Sequence, residues 1–130
     1  MGLIPHTHQI VVEQLGAGSS LSDRPVFYVP FTDTNGLWLN SIGVLTQGSS
    51  SGIDSTHKAT ISVKLPNPPD EPVLIASKEF STNVSLGDFF DFGALELNDI
   101  PSDFYFTVNI SQVNPAQLPA FLLVFDYSPK

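Results

Sequence analysis

The residues whose spacing suits chemistry begin at His6-Thr7-His8, followed by Glu13. Alternate side chains of an extended chain share a face, so His6 and His8 are expected to point the same way. Two imidazoles and a carboxylate on one surface make a donor set for a divalent transition metal. His57, in Ser/Gly-rich surroundings, is the remaining histidine that a complete site would need. The competing reading makes this segment a polar arm lying on a neighbouring molecule.

Other candidates are weaker on chemistry. Asp33-Thr34-Asn35-Gly36 opens like a calcium loop, but the later ligands and the distal Glu do not follow, so it reads as a turn. Gly48-Ser49-Ser50-Ser51-Gly52 has the end residues of a nucleophile elbow without the strand-to-helix context. Asp88, Asp91, Glu96 and Asp99 could supply the carboxylate pair of a glycoside hydrolase; the alternative is solvated loop carboxylates. Asn83-Val84-Ser85 and Asn109-Ile110-Ser111 fit the glycosylation pattern and read as polar strand residues facing solvent. Tyr28, Trp38 and Tyr105 could form an aromatic platform for a sugar, against the alternative that Trp38 is core.

Composition narrows the partners. The 130 residues carry 13 acidic and 5 basic side chains, a formal net charge of −8. So few Lys and Arg argue against nucleic acid and against anionic membranes. There is no Cys, which excludes a disulfide framework and thiolate metal sites. Charged residues make up 14% and hydrophobic ones 42%, so Ser, Thr, Asn, Gln and Gly must cover much of the surface. That balance resembles extracellular, adhesive or virion proteins more than a cytosolic enzyme. No apolar run approaches the ~18 residues of a membrane span. The start, Met1-Gly2-Leu3-Ile4-Pro5-His6, lacks the charged and apolar regions of a signal peptide.

The elements that must position these residues are all extended. Expected strands run over 8–15, 26–31, 37–47, 57–65, 73–77, 80–86 and 89–97, and a C-terminal hairpin joins 104–111 to 120–127. Ala59, Ile61, Val63 and Leu65 alternate with Lys58, Thr60, Ser62 and Lys64, the pattern of a half-buried strand. Pro66-Asn67-Pro68-Pro69-Asp70-Glu71-Pro72 can join neither a ladder nor a helix. Asn35-Gly36 predicts a turn with positive φ, and Gly43 predicts a bulge or a close backbone approach. The spacing predicts an all-β fold, an antiparallel β-sandwich of about eight strands, with a jelly roll favoured over an immunoglobulin-like order. Residues 1–7 read as an N-terminal arm, 8–127 as the sandwich and 128–130 as a tail.

The two C-terminal strands are unequal. Phe104, Phe106, Val108 and Ile110 oppose Tyr105, Thr107, Asn109 and Ser111, leaving one polar face. Phe121, Leu123, Phe125 and Tyr127 oppose Ala120, Leu122 and Val124, which leaves almost none. Such a strand needs a second cover, from the arm, a loop or another subunit. The expected interface residues are Leu3, Ile4, His6, His8, Leu122 and Val124.

Two resemblances follow from these residues. His6, His8 and Glu13 look like the first half of the cupin motif, implying a metal enzyme in which His57 joins them; the glycines of that motif are misplaced and its second half is missing. As a whole, the small, acidic, Cys-free all-β chain with an arm and Pro-rich connections is similar in style to the cement or decoration proteins of tailed bacteriophages. That resemblance implies a non-enzymatic protein without cofactors, made in the host cytoplasm and carried on the virion surface. Its partners would be the capsid protein and its own copies, a homotrimer being favoured. A carbohydrate-binding or fibre-tip module is the alternative.

Overall fold

Alternation and burial decide where most strands lie. Ala59, Ile61, Val63 and Leu65 are buried while Thr60, Ser62 and Lys64 face outward, so this stretch folds as its pattern reads. A computed structural model describes residues 6–29, 35–66 and 72–130. The strands are β1 His6–Val12, β2 Leu21–Tyr28, β3 Leu37–Thr46, β4 Ala59–Leu65, β5 Val73–Phe80, β6 Phe89–Asp91, β7 Asp99–Ile100, β8 Tyr105–Gln112 and β9 Phe121–Pro129. There is no helix among the described residues.

Two antiparallel sheets stack into the expected β-sandwich. The front sheet runs β1-β9-β3-β6, with β7 pairing β3 further along. The back sheet runs β2-β8-β4-β5. Aromatic rings close the space between them: Phe106 of the back sheet meets Phe125 of the front at 5.1 Å, and Phe80 meets Phe90 edge-on, also at 5.1 Å. Phe106, Phe121 and Phe125 are among the largest fully buried side chains. Each buried ring of this kind contributes roughly 1.5–3 kcal/mol by removal from water.

The C-terminal hairpin is not a hairpin. β8 and β9 lie in opposite sheets, and 113–120 carries the chain across the sandwich. Pro115 and Pro119 in that crossing cannot donate to a ladder. Buried Gln112 anchors it instead: Oε1 accepts from the Leu118 amide at 2.6 Å, and Nε2 donates to the carbonyls of Gly16 (3.1 Å) and Ser19 (2.9 Å). The apolar surplus of β9 therefore faces a different neighbour from the one its sequence position implies.

Other boundaries move for local reasons. β1 starts at His6 and ends at Val12 because His6 to Val12 pair with Tyr127 to Phe121, so the front sheet takes in the last two residues assigned to the arm. At the other end β9 takes in Ser128 and Pro129, two of the three residues assigned to the tail. The segments 73–77 and 80–86 are not two strands. One strand, β5, covers both up to Phe80, after which the chain leaves the ladder and Leu86 is exposed. The aromatic stretch 89–97 supplies only three strand residues.

β2 begins earlier than expected, at Leu21, and forms the edge of the back sheet. Its Pro25 is tolerated at that edge, and a register irregularity between Pro25 and Phe27 lets Val26 and Phe27 both be buried. The Pro30 expected at that edge lies outside the described residues. Gly36 has φ +76°, but β2 and β3 are not paired, so Asn35-Gly36 is no hairpin turn between them. Glycine is needed there because a Cβ would lie 2.0 Å from the Ile100 carbonyl oxygen.

Candidate functional site

The metal-like cluster does not assemble. Alternation does put His6 and His8 on one face of β1, but each ring packs on an aromatic. His6 stacks on Tyr127 at 5.6 Å and His8 on Phe27 at 4.1 Å, nearly parallel. His8 Nε2 lies 3.2 Å from the Val26 carbonyl oxygen. A carbonyl only accepts, so that nitrogen carries the proton and offers no lone pair to a metal. Glu13 is exposed just past the end of β1, and His57 precedes β4 in the other sheet, bonded to Asp54 at 2.9 Å. No three His, Cys, Asp or Glu side chains among the described residues converge as a metal site would need. The convergence expected of a cupin-like centre is therefore absent from these four residues.

The loop carboxylates serve turns and the chain end. Asp88 Oδ2 accepts from the Ser85 amide (2.9 Å), Asp91 Oδ1 from the Gly93 amide (2.6 Å), and Asp99 pairs with Lys130. Asp54 Oδ1 accepts from the Thr56 amide and hydroxyl and from the His57 ring and amide, at 2.8–2.9 Å. These bonds, the Thr56 amide first, hold its carboxyl down at about 2. Ser50, from the would-be elbow, donates to Asn83 Oδ1 and receives the Val84 amide, so its hydroxyl ties two loops together.

What the fold does assemble is a groove of about 520 Å³ where β1 and β2 close one side of the sandwich. β1 gives it His8, β2 gives Pro25 to Tyr28, β8 gives Tyr105 and β9 gives Tyr127. Tyr28 and Tyr105 are cross-strand partners. Tyr28 is 50% exposed, and its hydroxyl donates to Asp103 Oδ1 at 2.7 Å. Phe27 is the floor, in contact with His8, Phe106, Phe125 and Tyr127. Two of the three platform residues thus meet. Trp38 is elsewhere, 40% exposed on the front sheet beneath the Lys130 ammonium at 4.7 Å.

A second surface is the outer face of the front sheet. Register places Val11, Leu122, Leu45 and Phe89 side by side across β1, β9, β3 and β6. Val11 and Phe89 are 47% and 57% exposed, while Leu122 and Leu45 are half-buried. The next row holds Val124 between Gln9 and Gly43. Gly43 is not at a bulge; its lack of a side chain makes room for the Phe89 ring, which a Cβ would meet at 2.4 Å. Leu122 and Val124 therefore lie on an outer face as expected, and Leu3 and Ile4 fall outside the described residues. Sequence reasoning missed Val11, Leu45 and Phe89, whose adjacency depends on the spatial order of four strands. It also missed Tyr127 in the groove, although a Tyr at the end of an apolar parity is a signal for a wet strand end.

No protein-family model, no curated protein sequence and no solved structure matches this chain.

Proposed function

We propose that this chain is a non-catalytic structural protein of a virion, a shell-decoration protein that self-associates and docks through protein–protein contacts. The observation that carries the reading is the apolar row Val11–Leu122–Leu45–Phe89 on the outer face of a sheet. An antiparallel sandwich normally keeps such a face wet, and an apolar one marks a contact surface. The dispersal of the histidines among aromatic stacks and turns supports a role without chemistry. The acid-rich, Cys-free composition is in keeping with a protein that works crowded on a shell.

The test is mass in solution. The full chain should form a homo-oligomer, with a trimer expected, and Leu122→Asp should give a folded monomer. Removing residues 1–5 leaves every pair of β1 in place, so it separates the contribution of the leading segment from that of the sheet. A wild-type chain that stays monomeric at high concentration, and an unchanged Leu122→Asp variant, would sink the reading.

A further inference from the structure

The groove at the β1–β2 side is independent of the apolar row. His8 and Tyr127 lie on the core side of the front sheet, opposite Val11 and Leu122, and Tyr28 and Tyr105 belong to the back sheet. From its chemistry we infer that this groove is a binding site for a neutral saccharide.

A sugar ring presents an apolar C–H face and a rim of hydroxyls that both donate and accept. The groove offers the complement of each. Aromatic faces come from Tyr28, Tyr105, Tyr127 and the His8–Phe27 stack, whose ring planes lie 13° apart. Polar tips come from the phenol hydroxyls, and the Asp103 carboxylate stands at the Tyr28 hydroxyl, 2.7 Å away. A carboxylate beside an aromatic platform suits the paired hydroxyls of a sugar, a feature that a proline-rich peptide lacks. The volume of about 520 Å³ is in the range of small-molecule sites.

Charge selects neutral sugars over acidic ones. No Lys or Arg lines the groove, Asp103 adds a negative charge at its rim, and the chain carries −8 overall. An anionic glycan or a phosphate would meet repulsion from this acidic chain, with no Lys or Arg among the described lining residues to offset it. The platform is also firm before any ligand arrives. The bond to Asp103 fixes the Tyr28 ring, and the bond to the Val26 carbonyl fixes the His8 ring. Little side-chain entropy remains to be lost on binding.

The experiment is a titration of the isotope-labelled full chain, followed by NMR, with neutral gluco-, galacto-, manno- and chito-oligosaccharides and, separately, a proline-rich peptide. At least one neutral sugar should shift the amides around Tyr28, Tyr105 and Tyr127 at millimolar concentration. Tyr28→Ala and Tyr105→Ala should each weaken that sugar by ~10-fold or more, since each removes an aromatic face. Tyr28→Phe, which keeps the ring, should weaken it less, and Trp38→Ala should leave it unchanged. Silence from every sugar, equal shifts in Tyr28→Ala, or binding of the peptide alone would overturn the inference. Leu122→Asp should bind sugar like the wild type, so this outcome and the assembly outcome are read separately.

Discussion

β8 and β9 follow each other in the chain, yet they finish in opposite sheets with outer faces of different kinds. Outward from β8 point Tyr105, Thr107, Asn109 and Ser111, and their neighbours on β4 are Thr60, Ser62 and Lys64. Outward from β9 point Leu122 and Val124, flanked by Val11, Leu45 and, beyond β3, Phe89. The inner faces, by contrast, are alike: Phe106 and Phe125 are both fully buried and touch. One core thus serves two sheets, of which the back carries a mostly polar outer face, with Thr107 buried on it, and the front an apolar row. A hydrophobic core accounts for the inner layer, whereas the outer row calls for a second cover, which the proposed self-association would supply.

The largest effect should come from the layer the two sheets share. Phe125→Ala and Phe106→Ala should each cost about 3–5 kcal/mol of unfolding free energy, measured by urea denaturation. The two losses should be similar, because each ring is the other's neighbour across the sandwich. A loss at Phe125 far smaller than at Phe106 would mean that the front sheet is less firmly packed, and the contrast between outer faces would then need another cause. Next is Gln112→Leu. It strips partners from the buried Leu118 amide and from the carbonyls of Gly16 and Ser19, where the chain crosses between sheets. A loss of about 1–3 kcal/mol is expected. A neutral result would show that the crossing from β8 to β9 is held by its apolar neighbours alone.

These elements also mark what the sequence could reveal. β4 was legible because its parity is clean and both its neighbours lie in one sheet. The double apolarity of β9 was legible too, since it needs only one strand. Their pairing was not: 113–120 has the length of a hairpin loop, and nothing local says that it changes sheet. Tyr28 and Tyr105 could be named as a platform but not placed together, because they are 77 positions apart and meet through β2–β8 register. His6 and His8 were correctly put on one face, yet the aromatic that each would meet depends on the fold. The split of β2 at Pro25, which buries both Val26 and Phe27, breaks period two and hides the groove floor from any alternation argument.

Smaller effects probe the outer faces themselves. Leu122→Ser should cost the monomer about 1 kcal/mol or less, since the side chain is only half-buried there, while reducing association measurably. Ser62→Leu on the back sheet should leave the mass unchanged. Association gained by Ser62→Leu and kept by Leu122→Ser would reverse the comparison. Gly43→Ala should push the Phe89 ring off β3 at a cost of about 1 kcal/mol, seen as a lower melting temperature.

The smallest expected effect lies on the polar side, in the turn leading to β4. Asp54 accepts bonds from Thr56 and His57, and these lower its carboxyl from 3.8 to about 2. A carboxyl depressed on folding binds its proton more readily in the unfolded chain. Its contribution is therefore complete above about pH 4 and is lost as pH falls toward 2. The carboxylate is fully exposed, so solvent screens the contribution and the change should be slight. Carbon-detected NMR should find the Asp54 midpoint near 2, and the stability gap between wild type and Asp54→Asn should close over the same fall in pH. A midpoint near 3.8 would mean that the turn is not formed in solution, which would remove one of the fixed polar ends of the back sheet.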